Sequence, residues 1–117
     1  MCTATYLPLN PASFILTHSR DEKVARPVSY PPREHTIGGV AVTFPQDPQG
    51  QGTWMAMSNN LTACLLNGAF VAPTSTQGSP PKHSRGLVVL DVFDYVSVEA
   101  FIRHYSFNQT MRHYHIR

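Results

Sequence analysis

The sequence predicts an α+β protein in which mostly antiparallel strands are followed by two helices. Short β-rich runs separated by proline- and glycine-rich turns fill residues 3–70, and apolar residues at helical spacing follow residue 84. The length of 117 residues suits one domain at most. Strands followed by helices are typical of domains in which helices cover an antiparallel sheet.

The first part of the chain reads as strands joined by turns. Residues 3–9 and 13–17 flank turn chemistry around Pro8 and Pro11, which predicts a hairpin that brings residues 19–22, "SRDE", near Cys2. Residues 24–36 carry three prolines without apolar periodicity and are predicted to be an extended surface loop. Residues 40–44 predict another strand, and the following "PQDPQGQG" predicts a loop.

The remaining elements are a second hairpin and the helices. The runs "TWMAMS" and "LTACLLNGAF" are separated by Asn59-Asn60, residues that tolerate the positive φ of a tight turn. A long loop follows over residues 71–84. The run "GLVVLDVFDY" fits a buried strand or a buried helix, and we favour a helix with Ser84 as its N-cap. Ser97 precedes a clearer amphipathic helix whose apolar positions are Val98, Phe101, Ile102 and Tyr105.

Composition excludes several classes of function. A net charge of +2 with 14% charged residues gives no electrostatic reason to expect a nucleic acid or an anionic membrane as partner. No apolar run approaches the length of a membrane span. Two cysteines do not make a disulfide framework, which favours reduced thiols and a cytoplasmic location. The six histidines lack metal-ligand spacing, so we expect neither a metal nor a cofactor, and interpret them as surface or structural residues.

Cys2 is the sharpest chemical feature of the sequence. Removal of the initiator methionine would leave Cys2 with a thiol and a free α-amine, so that one residue supplies both nucleophile and base. The alternative is a chance cysteine in a frayed terminus. The strand predicted directly after Cys2 favours the catalytic interpretation, because it would hold the terminus inside the fold.

Four other residues are candidates for roles beside Cys2. Asp21 is suited to orient an ammonium and Arg20 to favour a thiolate, although a solvated surface ion pair explains the same residues. Asn67, at the end of a strand-like run, is suited to donate to an oxyanion, or else forms an Asn-Gly turn. Trp54 is a core residue or lines a substrate pocket.

Six motifs occur in order along the chain: "MCT", "FILTHSRDE" followed by Arg26-Pro27, "FPQDP", "GQGTWMAM", "ACLLNGAF" and "SRGL". Together they resemble the NRDE family, also called the transport and Golgi organisation protein 2 family. The resemblance implies an N-terminal nucleophile hydrolase with an α-β-β-α sandwich, acting on an amide bond. It also implies that Cys2 is the nucleophile, that Arg20 and Asp21 support it, and that Asn67 contributes to the oxyanion hole.

The chain departs from the family pattern at two points. Ser19 stands where the family motif has asparagine. Family members are also about twice as long, so we expect residues 1–117 to be one domain equivalent to the N-terminal half of a larger one. A missing C-terminal half or a second copy of the chain would then cover exposed strand edges.

Two other functions remain open on the same fold. One is a non-catalytic carrier of a lipid, haem or other amphipathic small molecule, with Trp54 and Phe70 lining its pocket. The other is an inactive truncated fragment.

Overall fold

The computed structural model describes residues 2–66 and 84–106, and these contain six strands and two helices. In order they are β1 Thr3–Asn10, β2 Ser13–Ser19, β3 Tyr30–Ile37, β4 Val40–Gln46, β5 Met55–Met57, β6 Thr62–Cys64, α1 Arg85–Asp91, a 3-10 turn Val92–Asp94, and α2 Val98–His104. The α+β prediction is confirmed, because antiparallel strands in two sheets precede both helices. Asn67 and Phe70 lie outside the described residues.

The strands form two separate sheets. Strands β1 and β2 make a two-stranded hairpin, and β3, β4, β5 and β6 follow in sequence order in a four-stranded sheet. In the hairpin, Thr3 pairs with Ser19 and Ala4 with His18. The hairpin therefore carries residues 20–22 back beside Cys2, as the sequence predicts.

The prediction of a surface loop over residues 24–36 is wrong for the second half of that range, which forms strand β3. This strand lies at the edge of its sheet, and its register against β4 shifts between Tyr30 and Arg33. Pro31 and Pro32 fall within that irregularity. Proline lacks an N–H, but an edge strand or bulge does not require one from every residue, so the prolines are accommodated.

The second hairpin forms as predicted, but its connection is not the tight turn with positive φ expected at Asn59-Asn60. Met57 pairs with Thr62, which leaves a four-residue connection. Gln51 is the one non-glycine residue with positive φ among residues 2–66 and 84–106. The Ser58 hydroxyl instead accepts the N–H of Asn60 at 3.3 Å and that of Leu61 at 3.2 Å. A longer hairpin loop does not need the positive φ of a two-residue turn.

The hydrophobic core lies between the four-stranded sheet and the helices. Its buried members come from β4, β5, α1, the 3-10 turn and α2: Val42, Phe44, Ala56, Val89, Val92, Phe93 and Phe101. The β1–β2 hairpin contributes none of them, and five of its large apolar side chains are about half exposed or more: Tyr6, Leu7, Leu9, Phe14 and Ile15. On α2, Phe101 is buried, whereas Val98 and Ile102 of the predicted apolar face are exposed.

The two helices begin at serines that act differently. The Ser97 hydroxyl accepts the Ala100 N–H at 3.1 Å, the usual N-cap bond, whereas Ser84 makes no such bond at the start of α1.

We expect Ser97→Ala to lower the free energy of unfolding by about 1 kcal/mol and Ser84→Ala to change it by less than about 0.5 kcal/mol. Urea unfolding followed by circular dichroism measures both, and equal losses would contradict the different capping roles.

Candidate active site

The Cys2 thiol lies against the backbone of Asp21. The Asp21 N–H points at the Cys2 sulfur at 3.4 Å, and the sulfur is 3.8 Å from the Asp21 carbonyl oxygen. The antiparallel pairing of Thr3 with Ser19 produces this approach, because it runs the two chain segments side by side to the end of the hairpin. A backbone N–H directed at sulfur stabilises negative charge on it.

The Asp21 carboxyl interacts with the amino terminus. A hydrogen bond from the positively charged amino terminus, and then the attraction of its charge, lower the pKa of the Asp21 carboxyl. This side chain is fully exposed to solvent. The sequence predicts that Asp21 orients an α-ammonium at the active site, and that role stays a prediction.

Arg20 projects from the end of β2 into a set of charged and aromatic neighbours. Its guanidinium lies 4.5 Å from the centre of the Trp54 ring, within cation–π range. One terminal nitrogen is 3.2 Å from Asp47 and 3.4 Å from Glu22. Trp54, Asp47 and Glu22 therefore hold the Arg20 side chain in place, and the Cys2 thiol is not one of these three partners.

Asp47 is the central acceptor of this charge cluster, which comprises Arg20, Glu22, Arg26 and Asp47. It is 6% exposed, and the same carboxylate oxygen accepts from Arg20 and Arg26. Its other oxygen accepts the Gln49 N–H at 3.0 Å. Glu22 completes the cluster by pairing with Arg26 at 3.4 Å. Two arginines and two carboxylates thus balance one another.

The cluster holds its charges in the ionised state. Burial would raise the pKa of the Asp47 carboxyl, but hydrogen bonds from Arg26 and from the backbone of Gln49 and Gly50, with the charge of Arg26, lower it overall. The hydrogen bond to Asp47 raises the pKa of Arg26, against the opposing effect of desolvation. Both shifts favour a charged pair at neutral pH.

Two glycines bring the loop before β5 into backbone contact with helix α1. A Cβ on Gly52 would lie 2.3 Å from the carbonyl carbon of Gly86, and a Cβ on Gly86 would lie 2.8 Å from the carbonyl oxygen of Thr53. The Thr53 N–H donates to the Gly86 carbonyl at 3.0 Å. Only glycine at both positions permits this approach, which places α1 beside the charge cluster.

These segments line a partly open cavity of about 100 Å³. Its walls are mainly polar and charged. They come from the hairpin and the segment after it, from segments that flank the strands of the four-stranded sheet, and from the start of α1: Cys2, His18, Arg20, Glu22, Arg26, Asp47, Gly52, Thr53, Trp54, Leu65, Ser84, Arg85 and Gly86. Trp54 is half-buried and lines the cavity. Of the predicted site residues, Cys2, Arg20 and Trp54 meet here, whereas Asp21 contributes its backbone to Cys2 and is absent from the lining.

Sequence reasoning missed three groups in this cavity. Asp47 and Arg26 belong to motifs that signal family likeness, but no local pattern pairs an aspartate with an arginine of another loop. The sequence favours a surface or structural role for His18, yet this residue lines the cavity and lies 3.0 Å from the Leu65 carbonyl oxygen. The one sequence feature that could have indicated a place for His18 in the site is its position directly before "SRDE".

Two further observations bear on the class of site. Within residues 2–66 and 84–106, no three His, Cys, Asp or Glu side chains come together as metal ligands would. Neither helix of that part of the chain has the length and apolar character needed to cross a lipid bilayer.

The fold and cavity define a small α+β protein with a cysteine in a charged pocket. The family model described as "Transport and Golgi organisation 2" matches residues 1–115, so the chain belongs to this family, as the sequence motifs indicate. Searches of curated proteins and of solved structures find no significant match.

Proposed function

We propose that this chain is an amidohydrolase that uses Cys2 as an N-terminal nucleophile to cleave a non-peptide C–N bond in a small amide. The observation that carries the proposal is the placement of the Cys2 thiol, which receives the Asp21 N–H and lines a polar cavity shared with Arg20. The resemblance to N-terminal nucleophile hydrolases supports the same chemistry.

The proposed reaction has two stages. In the form of the protein that begins at Cys2, the α-amine takes the thiol proton, and the thiolate attacks the amide carbonyl carbon. The C–N bond then breaks as the α-ammonium gives its proton to the leaving amine. Water hydrolyses the resulting thioester and regenerates the thiol. Arg20 and Asp21 supply charge around the nucleophile, and Asn67 is the proposed oxyanion donor.

The described lining favours a polar amide over a lipid or haem ligand. Charged side chains crowd the cavity walls, and covering ionised groups with an apolar ligand costs free energy. Trp54 offers one aromatic surface against which part of a substrate can pack. Cys2 and Cys64 are both free thiols, which supports a reducing, cytoplasmic location.

Cys2→Ala is expected to reduce hydrolysis of a panel of small N-acyl amides by at least about 1,000-fold, because the covalent route is lost. Amine release from p-nitroanilides provides the readout, and intact mass first establishes that Cys2 is the first residue of the protein assayed. Cys64→Ala is the matched control and should retain activity, since burial raises the pKa of the Cys64 thiol. Equal rates for wild type and Cys2→Ala would contradict the proposal.

A further inference from the structure

The hydrogen bond of His18 determines which ring nitrogen carries the proton. Its Nε2 lies 3.0 Å from the Leu65 carbonyl oxygen, and a carbonyl can only accept. Nε2 is therefore the N–H, and in the neutral ring Nδ1 carries a lone pair. Nδ1 is buried, and it has no hydrogen-bond partner among residues 2–66 and 84–106. A buried nitrogen acceptor without a donor costs free energy, which calls for an explanation.

The hairpin register brings this acceptor to the side of Cys2. His18 pairs with Ala4, so the two side chains lie on one face of the hairpin. Cys2 lies directly before β1 and precedes Ala4 by two residues, so continuing the alternation of the strand by one residue places Cys2 on that same face. Cys2 and His18 are thus placed diagonally at the end of the hairpin, and both line the cavity.

We propose that Nδ1 of His18 is a proton acceptor for the Cys2 thiol. The proton passes from sulfur to Nδ1, which gives a Cys2 thiolate and a His18 imidazolium with N–H groups on both nitrogens. In the amide reaction the same imidazolium returns the proton to the leaving amine. This inference rests on the proposed function for the nucleophilic role of Cys2, but it replaces the α-amine with the His18 side chain as the base. It therefore does not require Cys2 to be the first residue.

The transfer requires a rotation of the Cys2 side chain. In this structure the sulfur rests on the Asp21 backbone, so it must leave that backbone by rotation about the Cα–Cβ bond before it can give its proton to the ring. Catalytic hydrogen bonds are often long in the absence of substrate and tighten on binding. The other charged groups that line this cavity are Arg20, Glu22, Arg26, Asp47 and Arg85.

His18→Gln tests the proposal without a substrate. The glutamine amide can still donate to the Leu65 carbonyl, but it cannot accept a proton as a base. Limiting iodoacetamide at neutral pH, with peptide mapping, measures alkylation of each cysteine separately. We expect the Cys2 rate to fall at least tenfold and the Cys64 rate to stay within twofold of wild type. A Cys2 rate within twofold of wild type would overturn the proposal.

A measurement on the wild-type protein covers the case in which His18→Gln does not fold. Nitrogen-15 NMR of the imidazole rings reports which nitrogen carries the proton. The proposal expects His18 with Nε2–H and a bare Nδ1 in the neutral form, and protonated Nδ1 in the neutral ring would overturn it.

The outcomes separate this proposal from the amidohydrolase itself. Slower Cys2 alkylation in His18→Gln supports the base even if no amide is hydrolysed, whereas amide hydrolysis with unchanged alkylation identifies the α-amine as the base and overturns it.

Discussion

Gly52→Ala is expected to lower the free energy of unfolding by about 3 kcal/mol, a large share of what a domain of this size has. The new Cβ would lie 2.3 Å from the Gly86 carbonyl carbon and 2.6 Å from the Leu87 nitrogen. Both are backbone atoms, and the bond from Thr53 to the Gly86 carbonyl holds them in place. Separating the segments would break that bond. Urea unfolding followed by the fluorescence of Trp54, the only tryptophan, measures the loss.

Gly39→Ala is the matched control for this substitution. Gly39 has a φ of 81°, but no atom of the residues beyond its chain neighbours within 2–66 and 84–106 lies within 4 Å of the place that an alanine methyl group would occupy. Alanine there suffers backbone strain without a clash in this part of the chain. That strain costs about 1–2 kcal/mol. Gly86→Ala should destabilise as Gly52→Ala does, although alanine normally stabilises a helix relative to glycine. If Gly52→Ala unfolds at the same urea concentration as Gly39→Ala, the glycine contact does not hold α1 in place.

The successful predictions depend on patterns that are local in the sequence. The first hairpin follows from two β-rich runs around a proline-containing turn, and α2 follows from a capping Ser97 with Phe101 on its buried side. The close approach of Gly52 and Gly86 has no such signal. It joins two segments far apart in the chain, and each glycine alone reads as a loop or an ordinary helix position.

Strand β3 shows how tertiary pairing overrides local preference. Pro31 and Pro32 disfavour a regular strand when they are considered alone, and the sequence therefore predicts a loop. Arg33 pairs with Phe44 and Ile37 with Val40, so β4 supplies the partner that local reasoning lacks. The edge position of β3 makes the missing N–H groups tolerable.

Part of the candidate site could also be predicted, because it depends on the hairpin that local sequence patterns indicate. The predicted hairpin returns the chain and so places Arg20 near Cys2, and both residues line the cavity. Asp47 could not be found this way, since it lies in a loop rich in proline and glycine, a context that predicts exposure. Burial of its carboxylate becomes favourable only when Arg20 and Arg26 arrive from another segment.

The charge cluster also connects the two sheets of the fold. Arg20 follows β2 of the hairpin, and Asp47 follows β4 of the four-stranded sheet. Their ion pair, with the His18 bond to the Leu65 carbonyl beyond β6, connects two sheets that share no strand pairing in the described chain. The hairpin buries little apolar surface, so polar contacts hold Cys2 over the cavity.

Asp47→Asn is expected to lower the free energy of unfolding by about 2–3 kcal/mol at pH 7. Asparagine has nearly the same shape, but its neutral side chain leaves Arg20 and Arg26 without their shared anion. The hairpin is the element that this ion pair connects to the four-stranded sheet. We therefore expect protection of the hairpin amides from hydrogen exchange to fall more than that of the core strands, and urea unfolding measures the total loss.

The pH dependence distinguishes this charge effect from a general packing defect. The pKa of Asp47 is lowered from its ordinary value of 3.8, so its contribution is present above that pH and is lost as pH falls through the lowered folded-state pKa. The difference in stability between wild type and Asp47→Asn should therefore shrink as the solution is acidified below pH 3.8. Glu34→Gln, an exposed carboxylate change on β3, should show little difference from wild type at pH 7. A deficit in Asp47→Asn that stayed constant through this acid range would mean that shape and hydrogen bonding, rather than the anion between two arginines, stabilise the cavity wall.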